Sequence, residues 1–388
     1  MKVLFLTISQ EVHEGSSKAL LQLLHGLIPL GVEPLVVLPS QRSLYSYLKE
    51  QQIRCIVIKP AYRMSVYPWS ETIKNKILFI PRLLGRLIVN NIATLKLLHI
   101  VNQFKPDLIH TNMSVSSIGY YVARFLHIPH IWHIREYGDL DFQVHYYPNK
   151  KFHLNKYKCP NSYTLCITKD IQRHNNLHTW SNSHVIYDGV LSNTHCYYQT
   201  EKKPYFLFAG RLEKAKGILP LIDAYANYCR LHPSPLPLYI AGSGTESYTQ
   251  LVKDKITQHA IEHNVQFLGM RDDILSLYKE ATALVVPSIS EGFGFITAEA
   301  MFSGCLVIGN DTAGTKEQFD NGKEITGQEI ALRYNTQEQL TQHLMDVTNK
   351  TINHYEPMIL RAQQVVSQLY STEAHVKNIY RFYHRILN

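Results

Sequence analysis

The sequence predicts an α/β protein built from two doubly wound domains that face each other across a cleft. Three observations carry the prediction. The chain has 388 residues, more than one ordinary α/β core of about 100–200 residues organises. In each half, short apolar, β-rich runs alternate with longer helical patterns, as parallel strands joined by crossover helices require. Between the halves the alternation lapses at Leu191 to Lys203, a polar stretch that reads as a linker, and then restarts. The pattern places a first domain at 1–195, a second at 196–365, and a C-terminal helix at 366–388.

In the first half the predicted strands are Lys2 to Ile8, Pro34 to Leu38, Ile53 to Ile58, Asp107 to His110, His130 to Ile134 and Tyr163 to Ile167. Helices are predicted at Ser17 to Ile28, Ser43 to Gln51, about Ile73 to Phe104, and Ser116 to Leu126. Met1 to Thr7 lacks the long apolar stretch and small-residue cleavage site of a leader, so it reads as a strand and a cytoplasmic chain is expected. In the second half the strands are Pro204 to Ala209, Leu238 to Ala241, Val265 to Leu268, Ala283 to Val286 and Leu306 to Gly309, with a final helical stretch at about Ile359 to Leu387. Ligands of open parallel sheets bind beyond the carboxyl ends of the strands. The loops after these strands therefore hold the candidate site.

Composition narrows the partners. The formal net charge is +8 and the isoelectric point about 9.0, which favours an anionic partner: a nucleotide, an acidic membrane surface or nucleic acid. No RNA- or DNA-binding motif is present, so nucleic acid is not expected. The six cysteines are scattered, with no C-x-x-C pair and no zinc spacing, which points to a reducing compartment and no metal. The richest apolar run, Ile77 to Val89, is broken by Pro81, Arg82, Gly85 and Arg86. The stretch from Ile73 to Phe104 interleaves Lys74, Lys76, Arg82, Arg86 and Lys96 with aliphatic residues. It reads either as a peripheral element on an anionic membrane or as a core-packing helix with a solvated basic face.

Two motifs carry chemistry. The first runs from Pro287 to Met301 and contains Glu291-Gly292-Phe293-Gly294-Phe295 and Glu299. It follows an apolar strand and opens a helix. Gly292 and Gly294 permit close backbone approach to a ligand, and amides at a helix start suit a diphosphate. Glu299, one turn into the helix, can accept from ribose hydroxyls, and Glu291 can reach a sugar. Read alone, the same residues are a glycine-rich turn with a solvated glutamate. The second motif is Gly210-Arg211-Leu212-Glu213-Lys214-Ala215-Lys216-Gly217. Arg211 can pair bidentately with phosphate and Lys216 can add a point charge. Alone, both read as surface cations.

Together with Ile240-Ala241-Gly242-Ser243-Gly244 and Phe267-Leu268-Gly269, these motifs resemble, over about residues 204 to 320, the C-terminal domain of family 4 retaining glycosyltransferases (glycosyl transferases group 1). The resemblance implies a GT-B fold of two Rossmann-like domains, the first for the acceptor and the second for the nucleotide sugar, with the C-terminal helix at 366–388 crossing back to the first. It implies that Arg211 and Lys216 bind the donor diphosphate, Glu299 the ribose and Glu291 the transferred sugar, with backbone at Gly269, Met270 and Arg271 meeting the base. The N-terminal half resembles the family more weakly. Glu14-Gly15-Ser16-Ser17 occupies the place of its glycine-rich first loop, with Gly15 alone where two glycines are common. His133, in Ile131-Trp132-His133-Ile134-Arg135-Glu136, matches a strand-end histidine that contacts the sugar, and His110 also ends a strand.

What the resemblance implies is a retaining, metal-independent hexosyl transfer from a nucleoside diphosphate sugar, a UDP-sugar foremost, to a glycan or lipid-linked acceptor in bacterial surface polysaccharide synthesis. No cofactor is expected, because the nucleotide sugar is a substrate. The departing diphosphate would accept the proton of the incoming hydroxyl on the same face, so donors preorganised around it carry the catalysis. A GT-B-fold nucleotide-sugar epimerase and a catalytically silent nucleotide-sugar-binding protein are the alternatives.

Overall fold

A computed structural model describes the chain except for residues 65–66, 69–76, 143 and 147–148. It divides into two compact units, Met1–Gly189 with His375–Asn388, and Val190–Ala374. The sequence pattern drew its boundaries at 195/196 and 365/366.

The N-terminal unit is a seven-stranded parallel sheet: β1 (Lys2–Leu6), β2 (Glu33–Leu38), β3 (Cys55–Val57), β4 (Leu108–Thr111), β5 (His130–Ile134), β6 (Ser162–Cys166) and β7 (Ser183–Val185), in the order β3-β2-β1-β4-β5-β6-β7. In β1, Val3 to Leu6 are all fully buried. That continuous apolar run is what a strand covered by helices on both faces requires. Phe5 stands in register with Val36 on one side and His110 on the other. The reversal of strand order between β1 and β4 brings the loops after these two strands to one edge of the unit.

One face of this sheet is covered by the helix Gly15–Leu27 and by the C-terminal helix Thr372–Leu387. The latter buries Val376, Ile379, Phe382 and Tyr383 in the cluster that holds Leu20 and Leu24, a spacing of three and four residues that forms one apolar stripe. The helices touch closely: a Cβ at Gly26 would lie 2.3 Å from a Val376 methyl carbon. The other face carries the helices Phe79–Phe104 and Ile118–Leu126, through Ala93, Leu97, Val101, Phe104, Ile118 and Val122.

The C-terminal unit is a six-stranded parallel sheet: β8 (Lys203–Ala209), β9 (Leu238–Ala241), β10 (Val265–Gly269), β11 (Ala281–Val286), β12 (Leu306–Asn310) and β13 (Leu332–Tyr334), in the order β10-β9-β8-β11-β12-β13. It is doubly wound about β8, and its core joins Phe206, Phe208, Ile240 and Val285 to the helix Ile218–Leu231.

Both parallel α/β sheets are as the sequence predicts, with differences at their margins. The edge strands β7 and β13 have three residues each, too few to show a period, and the sequence pattern passes over both. The stretch read as helical from Ile359 to Leu387 is two helices, Glu356–Leu369 and Thr372–Leu387. The second starts afresh where the Ser371 hydroxyl accepts from the Ala374 amide at 3.1 Å. The helix Phe79–Phe104 is long and apolar enough, by length and composition, to cross a membrane, which the broken run at Ile77 to Val89 did not suggest. Its buried stripe against the sheet makes it a surface helix of this unit. Lys74 and Lys76, the first cations of that stretch, lie outside the described residues.

Candidate functional site

In the C-terminal unit, loops at the carboxyl ends of β8, β9 and β11 are held together by contacts that only glycine permits. Gly242 follows β9 with φ +142°, and a Cβ there would lie 1.8 Å from the Gly210 carbonyl oxygen. Gly217, with φ +68°, would place a Cβ 1.9 Å from the carbonyl oxygen of Pro287. Backbone hydrogen bonds lock the same junctions: the Gly210 amide donates to Ala241 at 2.9 Å, Gly242 to Gly269 at 2.7 Å, and Ile289 to Ala215 at 2.9 Å. Positive φ and close approach together leave no room for a side chain.

This framework brings Lys216 and Glu291, 75 residues apart, into contact. The Lys216 ammonium lies 2.6 Å from Glu291 Oε2, and both side chains are largely shielded from water. The loop bearing Glu291 is pinned from the helix Ala313–Thr326. The Gly314 amide donates to the Glu291 carbonyl at 2.9 Å, and the buried Gln318 side chain donates to the carbonyls of Phe293 at 2.6 Å and Gly294 at 3.0 Å. Phe293 is buried with its ring edge-on to Tyr370 and Phe295. Gly294, with φ +90°, caps the helix Phe295–Phe302 and supplies no side-chain acceptor to it. The amides that open this helix therefore keep donor capacity for an anion.

Glu299 lies one turn into that helix, half-buried, where the buried Tyr278 phenol donates to its Oε2 at 3.4 Å. Burial, and secondarily this carboxylate, hold the Tyr278 phenol well above its ordinary pKa, so it stays a donor. Arg211 is largely exposed and 3.1 Å from Glu213. An exposed pair of this kind holds its partners weakly, by roughly 0–1 kcal/mol, and leaves the guanidinium able to turn to another anion. At the end of β10, Gly269 has φ +67°; beyond it Met270 is 76% exposed and Arg271 donates to Asp273 at 2.7 Å. Gly292 sits half-buried between Glu291 and Phe293.

In the N-terminal unit, Gly15 opens the helix Gly15–Leu27 and nothing lies within 4 Å of where its Cβ would be. His133, at the end of β5, is fully buried. Its Nδ1 lies 3.0 Å from His110 Nε2 and receives Arg135 Nη2 at 3.3 Å. Arginine only donates, so Nδ1 is the acceptor nitrogen and a neutral His133 carries its proton on Nε2. Burial, then the Arg135 charge, push both His133 and His110 well below the ordinary imidazole pKa, so both are neutral. His133 Nε2 is 3.8 Å from Asp188 Oδ1, and both atoms lack a hydrogen-bond partner.

Sequence reasoning missed the residues around this histidine. Asp188 is buried and ion-paired with Arg135. Tyr383, from the C-terminal helix, sets its hydroxyl 2.6 Å from His110 Nδ1, and His375 stacks beside His133 with its Nδ1 on the Tyr187 carbonyl. Buried Glu136 accepts from the Ser114 hydroxyl at 2.7 Å and the Val115 amide at 3.2 Å, fixing the loop after β4. No local pattern announces Tyr383 or His375, which lie more than 180 residues from their partners along the chain.

Residues 198–365, somewhat under half of the chain, match the family described as glycosyl transferases group 1. Over 113 residues the chain is 38% identical to an uncharacterized glycosyltransferase of Methanocaldococcus jannaschii, covering 29% of this chain and 28% of that protein. Over 119 residues it is 34% identical to glycogen synthase of Mycobacterium tuberculosis, covering 30% of this chain and 28% of that protein. The matched segment thus spans less than a third of the length of either relative. Among solved structures, Anabaena Alr3699/HepE in complex with UDP is similar over 99% of this chain and 100% of that one, with a TM-score of 0.78 and 19% identity. Likeness at that identity is a likeness of fold.

Proposed function

We infer that this chain, which carries the glycosyl transferases group 1 domain in a GT-B fold, is a retaining, metal-independent glycosyltransferase that moves a hexose from a nucleoside diphosphate sugar to a glycan or lipid-linked acceptor. The observation that carries the reading is the shielded Lys216–Glu291 pair, set among glycine-locked loops and followed by a helix start with Gly294 as its cap. A cation, a carboxylate and outward amides at one place suit a diphosphate with a sugar attached. Lys216, Arg211 and the amides at Phe295 and Ile296 take the diphosphate, Glu291 the sugar hydroxyls and Glu299 the ribose. Gly210 and Gly242 let the backbone approach, and Gly269 to Arg271 meet the base. In the N-terminal unit, the family resemblance assigns Gly15 and His133 to the sugar.

In the transfer itself, the bond from the anomeric carbon to the diphosphate oxygen breaks as the acceptor oxygen bonds to the same face. The acceptor proton passes to the departing diphosphate. Negative charge grows on that diphosphate, and fixed cations and amides around it lower the barrier most. UDP is the favoured nucleotide, supported by the fold's likeness to a UDP-bound protein. A cytoplasmic place at the inner membrane face and a role in bacterial surface polysaccharide synthesis complete the proposal.

The test is the melting temperature of the protein with UDP, GDP, ADP, CDP and TDP, with and without EDTA. A ligand at a hundred times its dissociation constant adds about 2.7 kcal/mol. One nucleotide should stand out, be indifferent to EDTA, and lose its effect in Arg211→Ala and Glu299→Ala. Stabilisation by none would remove the donor site. Binding without transfer or donor hydrolysis would leave a silent binding protein, and NMR of the product anomer decides retention.

A further inference from the structure

We propose that the face of the N-terminal unit formed by the helices Phe79–Phe104, Ile118–Leu126 and Lys150–Asn155 is a docking surface for an anionic lipid bilayer, lying flat on it without spanning it. This deepens the lipid-linked acceptor part of the proposed function and rests on it only for its use. Along Phe79–Phe104, Ile80, Leu84, Ile88 and Leu95 are 58, 54, 60 and 68% exposed. These positions are spaced by four or seven residues, so they share one stripe. The opposite stripe, Ala93, Leu97, Val101 and Phe104, is buried in the sheet core. Asn90 is tied to the backbone of Arg63 and Arg86 donates to the Met64 carbonyl at 3.1 Å. A helix so anchored along one side cannot be enclosed by lipid, yet it offers its other side to an apolar surface.

The helix Ile118–Leu126 packs beside it on the same sheet face, so the exposed sides of both point away from that sheet. It adds Tyr121 and Phe125, the latter 69% exposed. Lys156 then joins the third segment: its ammonium donates to Ser117 at 3.1 Å and sits 5.3 Å from the Tyr121 ring and 6.0 Å from the ring of exposed Phe152. Aromatic rings at the margin of an aliphatic stripe suit the headgroup level of a membrane.

Charge decides what covers this face. Residues 79–104, 118–126 and 150–158 hold eight of the chain's 39 Lys and Arg (Arg82, Arg86, Lys96, Arg124, Lys150, Lys151, Lys156 and Lys158) and none of its 31 Asp and Glu. The rest of the chain is therefore balanced at 31 of each, and the whole formal excess of +8 resides here. Arg86 turns to the Met64 carbonyl and Lys150 to Asp139, and with no carboxylate in these segments a second copy of the same face would still bring like charge against like charge. An anionic bilayer meets both features at once, the apolar stripe by burial and the cations by attraction to headgroups.

The experiment is sedimentation of the full-length protein with vesicles of phosphatidylcholine alone and of phosphatidylcholine and phosphatidylglycerol in equal parts. The protein should bind the anionic vesicles and leave the neutral ones, with binding weakened by high salt as the Debye length contracts. The exposed double change Leu84→Glu with Ile88→Glu, and separately Lys151→Glu with Lys158→Glu, should each lower partitioning at least about tenfold. Their melting temperature and nucleotide stabilisation should be kept. Absent or charge-independent binding, or full binding by either variant, overturns the proposal. So does a solution dimer that the aliphatic variant abolishes, which would give the face to a second copy. Vesicle binding in a protein that binds no nucleotide would instead remove the proposed function and keep this surface.

Discussion

At the residue scale, the glycines separate demands of the fold from demands of a ligand. Gly242→Ala forces a Cβ to within 1.8 Å of a carbonyl oxygen in a left-handed backbone, and should destabilise the protein by more than about 2 kcal/mol in urea titration. Gly15 has open space where its Cβ would stand and no positive φ. Gly15→Ala should therefore leave stability unchanged or raise it by up to about 1 kcal/mol. A loss of transfer in that stable variant assigns Gly15 to a ligand, and unchanged turnover removes it from the site. Lys216→Ala removes the ammonium beside the shielded Glu291 carboxylate. It should cost roughly 1–3 kcal/mol of stability and about a hundredfold or more in turnover, whereas a surface cation would cost neither.

At the element scale, the C-terminal helix Thr372–Leu387 closes the N-terminal core and carries His375 and Tyr383 to His133 and His110. Its fit depends on Gly26, beside Val376. Gly26→Val overfills that contact and should destabilise by about 1–3 kcal/mol, with limited proteolysis releasing the C-terminal helix first. Equal resistance to protease in the variant would show that the helix is held by other contacts. The fresh helix start at Ser371 explains why a single helical period from Ile359 to Leu387 misreads two elements. The residues are apolar at helical spacing on both sides, and only the cap separates them.

At the scale of the whole molecule, histidine burial sets the response to acid. His110 and His133 are held well below the ordinary imidazole range by burial and then Arg135. His130 and His153 are pushed down to about 3 by burial, and burial also lowers His375. These groups are neutral in the fold, while the unfolded chain protonates them as pH falls through about 6.5. Stability is therefore fully present above that pH and lost as pH falls toward the folded values, by about 1.4 kcal/mol per pH unit for each such histidine. All five belong to the N-terminal unit. Urea titrations at pH 7 and 5.5 should differ by more than about 3 kcal/mol for the transition of that unit, and a flat profile would show that the histidines are solvated.

The sequence by itself determined the two parallel sheets and most of the C-terminal motif residues. Their signals are local: apolar runs of strand length, and glycines, cations and carboxylates within a few residues of a strand end. Gly210 to Gly217 and Glu291 to Glu299 are legible for that reason. Tertiary structure alone decided the contact of Lys216 with Glu291, the grip of Gln318 on the Phe293 loop, and the buried set of His110, His133, Asp188, His375 and Tyr383. Tyr383 and His110 stand 273 residues apart. No period or spacing encodes such a meeting, because it arises only when sheet order and helix packing bring distant side chains into one dry volume, where unpaired polar groups are costly.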